Sequence, residues 1–119
     1  MDIAPDDSLG AGVLLLTIAG SYLLVAGLSV PLLLKKIPPN RFYGFRSKRT
    51  QGDERVWYRV NQLGGAFLAL ISLGTLVSAL AVALAAWPEV GAAAVTLTGL
   101  VTASALVMVV GGVWILVRA

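Results

Sequence analysis

The sequence predicts an all-α membrane protein: three transmembrane helices, with a structured basic cytoplasmic loop and a short amphipathic helix between the first and second. Two observations carry that prediction. Of 119 residues, 58% are hydrophobic and only 13% charged, whereas about 25% of residues are charged in ordinary soluble domains. Three stretches, 9–34, 62–87 and 90–117, contain no charged residue, and each exceeds the roughly 20 helical residues that cross a bilayer core. The chain reads as a single membrane domain over 1–119, with the connection 35–61 as its one long polar segment.

The first stretch follows "MDIAPDD". A cleaved signal peptide has a basic flank and a hydrophobic run of about 7–15 residues, so this acidic flank and longer run predict a retained span. Pro31 lies near its end, where a proline commonly bends a membrane helix. Pro38 and Pro39 then impose an extended backbone that a helix cannot continue through.

The connection holds Lys35, Lys36, Arg41, Arg46, Lys48, Arg49, Arg55 and Arg59, eight of the nine bases, and Arg118 follows the third span. Basic residues accumulate on the cytoplasmic side of membrane proteins. The predicted layout therefore has the N-terminus outside, the C-terminus cytoplasmic, and the acidic Asp2, Asp6, Asp7 and Glu89 outside. Trp57, Tyr58 and Trp114 fall near the inner interface and Trp87 near the outer one, as rings with a polar edge do.

Within the connection, Gly44 between aromatics predicts a tight or positive-φ turn. A helix is expected to begin near Gln51 to Asp53, with Thr50 as cap and Asp53 as its capping-box partner. Gly64 and Gly65 are the expected hinge where that helix enters the membrane. Val56, Val60 and Leu63 share one face and Arg55 and Arg59 another, the pattern of an amphipathic segment in the headgroup layer. In the spans, small residues recur: Gly91, Gly99, Ala103 and Gly111 on the third, and Gly65, Ala69, Gly74 and Ser78 on the second, which predicts close helix packing. The hydroxyls of Thr17, Ser21, Ser29, Ser72, Thr75, Thr98, Thr102 and Ser104 are expected to bond carbonyls one turn back.

Composition also removes function classes. Histidine and cysteine are absent, and with them imidazole acid–base chemistry, thiolate nucleophiles, disulfides and the usual zinc, copper and haem ligands. No metal or cofactor is expected, and no enzyme, because Asp53 and Glu54 read as helix-start charges and not as an acid–base pair. No acid or base lies at membrane depth, which disfavours an independent ion-coupled transporter. The bases flank apolar segments and do not cover a polar surface, so nucleic acid is not an expected partner.

"PNRFYGFRSKRT", followed by "DERVW" and "VNQLGG", resembles the signature of the SdpI/YfhL family of small bacterial integral membrane proteins: an Asn, then Gly-x-Arg-Ser/Thr, then a Trp and an Asn leading into a helix. The resemblance covers residues 38–65. It places Asn40, Gly44, Arg46, Ser47, Trp57 and Asn61 at the motif positions and implies a role in immunity to secreted peptide toxins that attack the membrane.

The same residues have a chemical reading of their own. Asn40 can tie a turn, and Arg46, Ser47, Arg49 and Thr50 could converge on a phosphate near a helix start. Trp57 either anchors at the interface or packs over the loop, and Asn61 either caps or bridges the loop to the second span. Two binding functions follow. One is a protector or sensor that meets a peptide toxin or a cytoplasmic regulator. The other is an accessory subunit of a larger membrane complex, or a small transporter component, that holds anionic lipid headgroups; a homo-oligomer fits either.

Overall fold

The computed structural model describes residues 6–86, 89 and 93–118. Trp87 and Gly91 lie outside them. The described residues form four helices and no strand: α1 (Asp6–Leu33), α2 (Lys48–Gly52), α3 (Glu54–Ala86) and α4 (Ala94–Arg118). Three segments, Gly12–Leu33, Glu54–Ala86 and Ala94–Arg118, are long and apolar enough to cross a membrane. Large aliphatic side chains such as Leu16, Leu70, Leu84, Val95 and Val109 point outward. That is the expected surface where lipid replaces water as solvent, since tails are as apolar as leucine.

The spans run up, down and up, with α3 in the centre. At the end away from the loop, Ile18 and Tyr22 of α1 pack with Ala79 and Ala83 of α3 and Leu97 of α4. At the loop end, Val56 and Val60 of α3 pack with Ile115 of α4, joined by Phe45, Phe67 and Leu116. Arg118 therefore stands at the same end as the eight bases of the connection.

α1 ends before the prolines. Lys35 has φ 60°, its N–H donates to the Leu32 carbonyl at 3.2 Å, and the Lys36 N–H donates to the Pro31 carbonyl at 2.9 Å. This is a Schellman cap with a lysine in the left-handed position that glycine usually fills.

The start of α3 differs from the expected one. Ser47, not Thr50, caps α2. The Ser47 N–H donates to Thr50 Oγ1 at 2.7 Å, and the Thr50 N–H donates to Ser47 Oγ at 3.2 Å, a reciprocal capping box. Asp53 is extended and breaks the chain between α2 and α3. Its carboxylate accepts from the Arg55 N–H at 2.9 Å, and its carbonyl opens α3 by accepting from the Trp57 N–H at 2.9 Å.

α3 then runs unbroken for 33 residues, about 50 Å at about 1.5 Å per residue. Gly64 and Gly65 are not a hinge. They are contact points: a Cβ on Gly64 would fall on the Phe45 ring, and one on Gly65 would lie 2.8 Å from both the Ser29 carbonyl oxygen and the Leu33 nitrogen of α1. Backbone-to-backbone approach of that kind holds helices together where no hydrophobic effect is available. Gly65→Ala must push α1 away from α3, and we expect a loss of about 1–3 kcal/mol, read as a lower midpoint in detergent unfolding. Gly74→Ala, which meets open space, should leave the midpoint within about 0.5 kcal/mol.

The small residues of α4 divide between contact and open positions. Gly99 has open space around it and Ala103 is exposed, while Gly111 lies under the Phe67 ring. The buried positions are Leu97, Ser104, Gly112 and Ile115, a stripe about one residue, or about 100°, from the expected one. Leu63 is likewise exposed although Val56 and Val60 are buried, so the first turns of α3 pack in the bundle and do not lie flat as a separate amphipathic segment. The short helix of the connection is α2.

Three of the eight hydroxyls make the expected bond. Thr17 donates to the Val13 carbonyl at 2.7 Å, Ser29 to Val25 at 2.6 Å and Ser104 to Val101 at 2.9 Å. With its proton so engaged, Ser104 Oγ accepts from the Tyr22 hydroxyl at 2.5 Å, a direct tie between α1 and α4. Ser72 Oγ is buried without a partner.

Candidate functional site

The motif residues converge on a folded loop. Asn40 organises its first half: its Oδ1 accepts the N–H groups of Phe42 at 2.8 Å and Tyr43 at 2.7 Å, while its Nδ2 donates to the carbonyls of Pro38 at 2.8 Å and Tyr43 at 3.1 Å. Four bonds from one amide satisfy backbone that no helix serves. Gln51, at the end of α2, donates to the Asn40 carbonyl at 2.8 Å and closes the loop on itself.

Asn61 fixes the second half from α3. Its Oδ1 accepts the Phe45 N–H at 2.5 Å and its Nδ2 donates to the Phe45 carbonyl at 3.2 Å and to the Trp57 carbonyl at 2.9 Å. Both backbone groups of Phe45 are thus paired as they would be in a strand, but by a side chain. Asn61 is 1% exposed and Trp57 0%, so of the two roles open to each, Asn61 bridges and Trp57 packs. The Trp57 indole N–H donates to the Ile37 carbonyl at 2.8 Å, tying the loop's beginning to the same turn of α3.

Gly44 is the residue this arrangement cannot vary. Its φ is +116°, and a Cβ there would lie 2.7 Å from Asn61 Oδ1 and 3.2 Å from the Trp57 ring. Backbone geometry and close approach both require glycine.

Ser47 and Thr50 bond each other within the capping box, and Thr50 is fully buried. Their hydroxyls are therefore structural in this arrangement. Arg49 is exposed on α2. Arg46 is exposed too, but its backbone stands between Phe45, held on both sides by Asn61, and Ser47, the cap of α2. Beside it opens an apolar groove of about 480 Å³ between α1 and α4.

Two residues that sequence reasoning did not single out complete the unit. The Phe45 ring sits on Gly64 and near Gly112, which docks the loop onto α3 and α4. The Tyr43 hydroxyl donates to the Leu28 carbonyl of α1. Desolvation by burial raises its pKa above the usual 10.0, so the phenol keeps its proton and its bond at neutral pH. The signal for both was the "FYGF" run itself, whose aromatics flank the turn glycine.

A family model described as the SdpI/YfhL protein family matches residues 36–118, which takes in the loop, α2, α3 and α4. The chain belongs to the SdpI/YfhL family. The uncharacterized protein YfhL of Bacillus subtilis (strain 168) is 30% identical over 59 residues, 47% of this chain and 50% of that protein. The chain thus spans about half the length of that relative. No solved structure matches. With its three apolar helices, this SdpI/YfhL member is a multi-pass membrane protein.

Proposed function

We propose that this SdpI-type protein works in the bacterial cell membrane as a protector against, or sensor of, membrane-active peptide toxins, and that it acts by binding and not by catalysis. The observation that carries the reading is the fixed loop. Asn40, Asn61, Trp57 and the α2 cap hold it rigid against the spans, and it presents Arg46 from a backbone anchored on both sides. A loop needed only to connect two helices has no use for such a framework, whereas a recognition surface gains affinity from being ordered in advance.

In this reading the loop faces the cytoplasm. All nine bases stand at the loop end, and Glu89 stands at the other, which supports an outside N-terminus. The ligand meets the protein within the membrane or at its inner surface.

The test is survival. Wild type, Arg46→Ala and Lys48→Ala are expressed to equal membrane levels in a toxin-sensitive bacterium and challenged with a panel of membrane-active peptides. Wild type and Lys48→Ala are expected to protect, and Arg46→Ala to lose most of the protection. If no well-inserted variant protects against any peptide of the panel, the immunity reading fails, and the accessory-subunit reading takes its place.

A further inference from the structure

α1 and α4 both pack on α3 and touch each other little. Near the loop end this leaves the groove of about 480 Å³, walled by Leu28 and Leu32 of α1, Leu68 of α3 and Leu116 of α4, and closed by the loop at Tyr43–Arg46. The volume falls within the range of small-molecule sites, about 300–1,000 Å³. Two further polar side chains line the groove, and both are engaged: Ser29 donates to Val25 and Tyr43 to Leu28. Among the described residues, the Arg46 guanidinium, exposed at the mouth of the groove, has no hydrogen-bond or ion-pair partner.

That combination specifies an amphipathic occupant. An apolar molecule alone would leave the guanidinium without a counterpart, and a soluble anion alone would leave the leucine walls unfilled. The groove lies along the last two turns of a membrane-spanning helix, and guanidinium matches phosphate in charge and geometry. We propose that the groove is a site for one anionic phospholipid, with an acyl chain along Leu28, Leu32, Leu68 and Leu116 and the phosphate on Arg46. This site does not depend on the toxin reading. A structural lipid between α1 and α4 would be present whatever the protein recognises.

The experiment measures lipid bound to the purified full chain by native mass spectrometry from micelles doped with phosphatidylglycerol or phosphatidylcholine. Wild type should retain phosphatidylglycerol in preference to phosphatidylcholine. Arg46→Gln should weaken that retention about fivefold, the effect of one base near a membrane surface, and Arg46→Lys should recover part of it. Lys48→Gln removes an equally exposed charge outside the groove and should bind as wild type. Leu28→Phe, at a half-exposed position that tolerates a larger side chain, should obstruct the chain and reduce retention of both lipids. Inorganic phosphate at millimolar concentration should not displace the lipid. Equal retention of the two lipids, equal loss from Arg46→Gln and Lys48→Gln, unchanged binding by Leu28→Phe, or displacement by phosphate alone would each overturn the assignment.

Discussion

Asn61→Leu is expected to release the loop while leaving the three spans helical. The substitution keeps the volume but removes both partners of Phe45 and the bond to the Trp57 carbonyl. Buried groups left without partners cost about 1–3 kcal/mol each, so the unfolding midpoint of the detergent-purified protein should fall by about 2–4 kcal/mol. Trypsin should then cut readily at Arg46, Lys48 and Arg49, which are exposed but lie in a backbone the wild-type protein holds rigid. Asn61→Asp should fall between the two: its carboxylate still accepts from Phe45 but cannot donate to either carbonyl. A wild-type cleavage rate in Asn61→Leu would mean the loop is held by its aromatics alone.

Gly44→Ala should match that loss from the opposite side of the same contact. Strain at an unfavourable φ costs about 1–3 kcal/mol, and the new methyl would meet Asn61 Oδ1 at 2.7 Å and the Trp57 ring at 3.2 Å. A total of about 2–4 kcal/mol follows. The two sites are coupled, so in an Asn61→Ala background the cost of Gly44→Ala should drop by about 1 kcal/mol, because the oxygen it strikes is gone. Strict additivity would show that the penalty is conformational only.

These two predictions concern the part of the molecule that the sequence disclosed least fully. The spans were legible because charge-free length alone decides them, and Pro38 and Pro39 announced that α1 must stop. That it stops through a left-handed Lys35 was not legible, since a lysine at that position carries no signature. "TQGD" read as the helix start, with Thr50 as its cap. Only packing chose Ser47, by burying Thr50 against α3 and leaving Asp53 extended. The contact face of α4 was misplaced for a related reason. A helix apolar on every side has no polar face to mark its exterior, so small residues were the available guide, and of these Gly111 meets Phe67 while Gly99 has open space around it and Ala103 is exposed.

The motif positions were legible as positions, and the structure supplies their division of labour. Asn40, Gly44, Ser47, Thr50, Trp57 and Asn61 build the loop, and Arg46 is left at its edge beside the groove. The contact of Phe45 with Gly64 and Gly112 joins residues far apart in the chain. No local periodicity encodes such a contact.

The central claim is that the loop and α3 form one rigid unit clamped by Asn61. Hydrogen exchange at the Phe45 amide tests it most directly, because that N–H has a side chain and no helix or sheet as its partner. Protection comparable to the amides of α3, lost in Asn61→Leu while α3 stays protected, is the predicted result. A Phe45 amide that exchanges as fast in the wild-type protein as in an unstructured loop would contradict it.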